Sequence, residues 1–184
     1  MKNKLLLHSC CAPCLMGTLP VIKMGDIFEV SCFWYNPNIH PYTEYKARFS
    51  AFVDYTAKNN INLIVRDHYG LVEFTKNVID NLKERCSYCY TARLGETAKQ
   101  AKQGGFDAFS TTLLVSPYQN HAQIKETGEK YAKEYGIKFF YGDFRANFRE
   151  GQKAAREGGI YMQKYCGCIF SEEERFLTKW RKDF

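Results

Sequence analysis

The sequence predicts an α/β protein built on a doubly wound, mostly parallel sheet of about five strands. Three observations carry that expectation. Short apolar or β-branched runs alternate with segments of helical periodicity, the pattern of repeated βαβ units. The connections between runs are long enough for crossover helices, so neighbouring strands are expected to lie parallel. The first run, Leu5-Leu6-Leu7, breaks into His8-Ser9-Cys10-Cys11-Ala12-Pro13-Cys14, and open parallel sheets hold their ligands at the carboxyl ends of strands.

In chain order, the Leu5–Leu7 strand is followed by a short helix over Leu15–Lys23, with Pro13 in its first turn and Pro20 disturbing its course. A helix N-terminus there makes Cys11 and Cys14 candidate thiolates. Phe28–Tyr35 is rich in β-branched and aromatic residues and reads as the second strand. It stops at Asn36-Pro37-Asn38-Ile39-His40-Pro41, a loop with two prolines. Tyr45, Phe49, Phe52, Val53 and Ala57 recur at helical spacing, predicting a helix over Tyr42–Lys58. Ile61–Val65 is the third strand. Leu71–Lys83 reads as a helix delivering Cys86 and Cys89 just past its end, and another helix runs through Arg93–Gln103 to Gly104-Gly105.

Phe106–Leu114 is the fourth strand. Ser116 is placed as the N-cap, and Pro117 as the first residue, of a helix reaching Gly136. Ile137–Tyr141 forms the fifth strand and leads to Asp143 and Arg145. A polar helix over Phe148–Arg156 precedes Gly158-Gly159, and Ser171-Glu172-Glu173-Glu174 opens a last helix. The expected architecture is Rossmann-like, with residues 1–184 forming one domain.

Composition excludes several classes. Charge is well distributed and no repeat or low-complexity segment occurs, which argues against disorder and solenoids. The apolar run near Met1 is too short for a signal peptide and is interrupted by His8, and no stretch is long enough to cross a bilayer. A cytoplasmic protein without membrane partners is expected. The net charge of +6 is compatible with a nucleic-acid partner but too modest to identify one.

Eight cysteines in a reducing compartment point to metal or redox chemistry rather than a disulfide framework. Cys32, inside a strand, reads as a small buried hydrophobe. By spacing, Cys11-x-x-Cys14 with Cys86-x-x-Cys89 fits a tetrahedral zinc site. Zinc would leave Cys10, Cys166 and Cys168 unused, and adjacent Cys10 and Cys11 suit a polynuclear iron–sulfur cluster held by four thiolates, the preferred use. Cys166-Gly167-Cys168 is compatible with a strained, labile disulfide or with metal ligation.

Five ordered motifs carry a resemblance to a known family: His8-Ser9-Cys10-Cys11-Ala12-Pro13-Cys14, Tyr35-Asn36-Pro37-Asn38-Ile39-His40-Pro41, Arg85-Cys86-x-x-Cys89-Tyr90-x-x-Arg93-Leu94, Ser110-Thr111-Thr112-Leu113 and Tyr165-Cys166-Gly167-Cys168. Together they resemble the QueH family of epoxyqueuosine reductases over nearly the whole chain. The resemblance implies a fold related to the adenine nucleotide alpha-hydrolase group and reduction of epoxyqueuosine to queuosine at the wobble position of tRNA. It further implies a 4Fe-4S cluster on Cys10, Cys11, Cys86 and Cys89, and a redox-active disulfide between Cys166 and Cys168. Cys14 is left as a structural thiol or a ligand of a second metal, a mononuclear iron or another ion.

Removing an epoxide oxygen takes two electrons and two protons, so an electron donor and a proton donor are required. Asp143 and His8 are the candidate acids, with Tyr35, Tyr88 and Tyr165 behind them. An anticodon loop carrying the modified base presents splayed bases to aromatic and arginine surfaces. Lys46, Arg48, Arg93, Lys125, Arg145, Arg149, Lys153 and Arg156 are the candidate phosphate contacts. The rival readings are a zinc-stabilised RNA-binding module without catalysis and a thiol–disulfide oxidoreductase. ATP use is disfavoured because cysteines stand where a glycine-rich phosphate loop would follow the first strand.

Overall fold

A computed structural model describes residues 2–180, apart from the side chains of residues 178 and 179. The ends of the expected 1–184 domain therefore lie outside the described residues. Twelve elements follow one another: β1 (Asn3–His8), α1 (Ala12–Met24), β2 (Phe28–Trp34), α2 (Tyr42–Lys58), β3 (Leu63–Val65), α3 (Leu71–Val78), α4 (Arg85–Gln103), β4 (Ala108–Thr111), α5 (His121–Tyr135), β5 (Lys138–Phe139), α6 (Phe148–Glu157) and α7 (Ile169–Trp180). The sheet has the order β3-β2-β1-β4-β5, and every strand pairing in it is parallel.

Leu5, Leu6 and Leu7 are all fully buried because β1 is the central strand and both faces of the sheet are covered. α1 packs against α2 and α6, while α4 packs against α5. Right-handed crossovers require this, since the chain winds outward from β1 in two opposite directions. The direction of winding reverses between β1 and β4, whose carboxyl ends carry Ser9-Cys10 and Thr111-Thr112. An open sheet binds ligands at that switch point.

α6 reaches this region through a close approach of backbones. A Cβ on Gly151 would stand 2.6 Å from the Gly17 nitrogen and 2.8 Å from the Pro13 carbonyl oxygen. Glycine at both positions thus lets α6 lie against the N-terminal half of α1, beside Cys14.

Several boundaries depart from the sequence expectation. α1 begins at Ala12, so Cys14 lies inside the helix, and Pro20 is accommodated within it because Leu15, Thr18, Leu19 and Ile22 are buried along one side. α3 ends at Val78, and a 3-10 turn over Leu82–Glu84 leads straight into α4. Cys86 and Cys89 consequently sit in the first turns of α4 rather than past the end of α3. After β4 the chain enters a 3-10 turn, Thr112–Val115. α5 starts at His121, capped by Asn120, whose side chain accepts from the Gln123 N–H at 3.1 Å. Ser116 is not its cap; its hydroxyl instead accepts from the Tyr118 N–H at 3.2 Å. α7 begins two residues before Ser171, whose hydroxyl donates to the Cys168 carbonyl at 2.7 Å.

Candidate metal and redox site

The first group of thiols grows from the end of β1. The Ser9 N–H continues the ladder to the Phe33 carbonyl at 2.9 Å, and the Cys10 N–H donates to Thr112 Oγ1 at 3.2 Å. Cys11 then turns out as the extended N-cap of α1, and Cys14 follows in its first turn. The result is three buried sulfurs, of Cys10, Cys11 and Cys14, within 4.8 Å of one another. Cys10 and Cys11 are 3.8 Å apart, and Cys10 Sγ lies 3.5 Å from Thr112 Oγ1. Gln163 Nε2 donates to Cys11 Sγ at 3.0 Å, while Gln163 Oε1 is buried without a partner.

Hydrogen bonds from the Cys11 and Cys14 thiols, against the cost of burial, hold Cys10 well below the ordinary thiol range. Cys11 is pushed up by burial and by its neighbour Cys10; Cys14 is pushed up mainly by its hydrogen bonds to Cys10 and Cys11. The shifts run in opposite directions within the group, downward at Cys10 and upward at Cys11 and Cys14. Three soft sulfur donors at this spacing can hold a metal ion, and ligation would displace the remaining protons.

The second group joins the start of α4 to the segment before α7. Cys86, Cys89, Cys166 and Cys168 line one narrow cavity together with Phe74 and Tyr90. Cys89 and Cys168 are buried against Phe74 and Val78, whereas Cys86 and Cys166 are exposed; all eight cysteines are free thiols. Burial pushes the Cys89 thiol up to about 12, offset in part by Arg93. Arg93 Nη2 donates to Cys89 Sγ at 2.9 Å and its Nε to the Cys89 carbonyl at 3.2 Å. Arg93 is itself buried, without a carboxylate partner among the described residues.

A larger cavity of about 250 Å³ opens above the first group, lined by Cys10 and Cys14, by Arg48 and Arg93, and by Gln163 and Cys166. Arg93, Gln119 and Cys166 line both cavities and so stand between the two groups. Gln119 accepts from the Tyr90 hydroxyl at 2.8 Å, which orients its amide to donate to Cys166 Sγ at 3.3 Å. The expected set of Cys10, Cys11, Cys86 and Cys89 is thus divided: Cys10 and Cys11 gather with Cys14, and Cys86 and Cys89 gather with Cys166 and Cys168.

A buried pair anchors the Cys166-Gly167-Cys168 segment. Arg48, on α2, donates to Glu44 Oε1 at 2.6 Å and to the carbonyls of Cys166 and Tyr165 at 2.9 and 3.0 Å. The Tyr161 hydroxyl donates to the other Glu44 oxygen. Gly167, at φ +152°, occupies backbone space that only glycine enters freely, and its carbonyl accepts from the His40 N–H at 2.8 Å. The loop with two prolines is therefore the seat on which this dithiol segment rests.

The candidate acids differ in placement: Asp143 lines neither thiol cavity, His8 lies close to Cys10, and Tyr165 lines the larger cavity. Asp143 is held down to about 2 by its hydrogen bonds from Arg145, is exposed, and lines neither thiol cavity. A carboxyl ionised throughout the working range has no proton to give. Burial, with Arg93 nearby, lowers His8 to about 4. Its neutral ring contacts Thr111 Oγ1 at 2.9 Å and the Tyr35 carbonyl at 3.2 Å, ties between strands rather than a free acid. Tyr165 spends its hydroxyl on the His40 carbonyl at 2.6 Å; burial raises Tyr35 and Tyr88 above the ordinary phenol value. Arg48 and Arg93 are buried and hydrogen-bonded internally, so they are not phosphate contacts in the sense expected of surface cations. Gln163 and Gln119 were not singled out by sequence; their nearness to Cys166 in the chain, and to Pro117 before a helix, carries no thiol-specific signal.

A parallel sheet of Rossmann order with three buried thiols gathered at its switch point defines an α/β protein with a site that could hold a metal ion. Comparison with known families agrees: the model of the family described as Epoxyqueuosine reductase QueH matches residues 5–174. The chain belongs to that family, a family of oxidoreductases. It is 40% identical over 176 residues to the epoxyqueuosine reductase QueH of Dehalococcoides mccartyi, covering 96% of each chain. It is 39% identical to that of Thermotoga maritima, covering 92% of this chain and 91% of the relative. With that of Acinetobacter baylyi the identity is 34%, covering 97% and 84%. No helix among the described residues is long and apolar enough to cross a membrane.

Proposed function

We propose that this chain acts in the cytoplasm as one metalloenzyme domain that reduces epoxyqueuosine to queuosine at the wobble position of tRNA. The observation that carries the reading beyond the family name is the cavity whose wall combines the Cys10 and Cys14 sulfurs, the exposed Cys166 and the buried Arg93. Removing the epoxide oxygen breaks two C–O bonds, leaves an alkene and forms water from two electrons and two protons. Oxidation of the Cys166 and Cys168 thiols to a disulfide releases two electrons and two protons, matching that demand, and a bound cluster would be required to relay the electrons one at a time. Their return to the dithiol state calls for an external electron donor. Arg93, desolvated and facing the cavity, stabilises negative charge as the C–O bonds break. With Asp143 outside the cavities and His8 held neutral by burial, the protons come from thiols or solvent.

Cys10, Cys11, Cys86 and Cys89 are the proposed ligands of a 4Fe-4S cluster, which when bound would supply electrons singly. Cys14, in reach of Cys10 and Cys11, is the proposed ligand of a second metal, a mononuclear iron or another ion. Sulfur donors suit both assignments by type; the second metal's three are gathered and buried, whereas the cluster's four stand as two pairs in separate groups, with Cys86 exposed.

The test is iron and acid-labile sulfide content, with a visible spectrum and turnover on epoxyqueuosine tRNA, for protein purified without oxygen. About four of each per chain is expected for the cluster, with extra iron lost selectively in Cys14→Ser. Cys86→Ser is expected to abolish both absorbance and turnover. Turnover that survives cluster loss sinks the proposal. Zinc without sulfide, in an inactive protein, transfers support to a zinc-stabilised RNA-binding module.

A further inference from the structure

The mouth of the larger cavity carries groups that thiol chemistry does not use. Tyr118 lines it and is 83% exposed, yet it is the end of an ordered turn rather than a loose side chain. Its N–H donates to the Ser116 hydroxyl, and the next residue, Gln119, is clamped between Tyr90 and Cys166. Its ring meets Phe148 edge to face, with centroids 5.8 Å apart and planes at 83°. A single perpendicular ring against a side chain this exposed leaves at least one flat face of Tyr118 open beside the cavity.

Phe148 begins α6, and that helix segregates its side chains. At about 100° per residue, Phe148 and Gln152 form the row that lines the cavity, while Gly151 and Ala155 face α1 and the core. Arg149, Lys153 and Arg156 form the next row outward. Glu150 and Glu157 follow immediately beyond that row, on the side away from the cavity, with Glu157 one turn from Lys153. All three cations are exposed, and none has a carboxylate partner among the described residues. A rigid aromatic face, a polar row and a cationic row in succession match a single-stranded nucleic acid, whose bases stack on aromatics while its phosphates follow the cations.

We propose that Tyr118 and α6 form a docking groove for an RNA loop. A nucleotide adjoining the one in the cavity stacks on the open face of Tyr118, and the loop phosphates run along Arg149, Lys153 and Arg156. The inference rests on the reading that the cavity receives a nucleoside carried in RNA.

It is tested by fluorescence anisotropy on the whole protein with an anticodon stem-loop RNA and with a blunt duplex of the same stem. Wild type is expected to prefer the stem-loop. Tyr118→Ala is expected to weaken stem-loop binding about tenfold with duplex binding unchanged, and Tyr118→Phe to retain it, both with wild-type circular dichroism. Arg149→Ala and Lys153→Ala are expected each to flatten the slope of log K against log salt by about 0.7. Stem-loop binding by Tyr118→Ala equal to wild type overturns the stacking platform, and an unchanged salt slope overturns the phosphate track. A wild type that binds neither RNA overturns the groove together with the RNA-substrate reading beneath it.

Discussion

At the scale of single residues, Arg93 has the most demanding environment. A guanidinium out of water normally needs a carboxylate; Arg48 has Glu44, but Arg93 has sulfur. Burial works against its charge, and the groups nearest to offset that are the sulfurs of Cys89, Cys166 and Cys10, drawn from both thiol groups. Arg93→Gln keeps a donor near Cys89 and removes the charge. The expected outcome is a loss of about tenfold to a hundredfold in metal retention or turnover, the usual effect of removing a partner of a metal ligand. Iron content per chain and steady-state turnover check it, and iron and activity at wild-type levels would refute the role. The cysteines themselves were legible in the sequence, because thiols in clusters are rare and informative. Two of their partners were not: Gln119 and Gln163 are ordinary residue types whose meaning comes only from which sulfur they meet. Asp143 closes onto the arginine two residues away, the surface ion pair that its place beside Arg145 in the sequence already allowed.

At the scale of elements, the dithiol segment is held by a helix far from it in sequence. Arg48 on α2 is buried at one end on Glu44 and at the other on the carbonyls before Gly167. Arg48→Met leaves Glu44 as an uncompensated buried charge, and the expected cost is about 3–5 kcal/mol. Adding Glu44→Gln is expected to recover part of it, since the charge penalty disappears while the lost bonds to the carbonyls do not. Urea unfolding of the single and double variants measures the difference; equal destabilisation of both would show that the ion pair is not the anchor. The periodic elements were readable from sequence. α2 matches the predicted Tyr42–Lys58, because its apolar residues repeat at helical spacing against a buried sheet. The misplaced boundaries were those set by turn chemistry. Asn120 rather than Ser116 caps α5, and the Leu82–Glu84 turn carries the chain into α4 before Cys86 instead of after Cys89. A cap residue types alone cannot choose between two polar candidates four residues apart; packing of the Thr112–Val115 turn in the core chooses.

At the scale of the whole molecule, two neutral histidines make stability depend on pH. His8 and His40 are both held at about 4, by burial in each case. The folded pKa is below the unfolded value near 6.5, so the unfolded chain takes up protons first as pH falls. The contribution is fully present above about 6.5 and is lost progressively down to about 4, by at most about 2 kcal/mol per histidine at pH 5. Urea midpoints at pH 7 and pH 5 test this, and equal midpoints would contradict it. The strand count, the helices on both faces, the thiol-bearing end of the first strand and the family were all determined by the sequence itself. Those features are written in local periodicity and in motifs, which neighbouring residues suffice to specify. The tertiary structure alone decided that Cys86 and Cys89 gather with Cys166 and Cys168, that Arg93 stands between that group and Cys10, and that Gly17 and Gly151 bring α6 to the cavity. Each of these depends on segments more than sixty residues apart meeting in space, and the winding of the parallel sheet about β1, not any local pattern, brings them together.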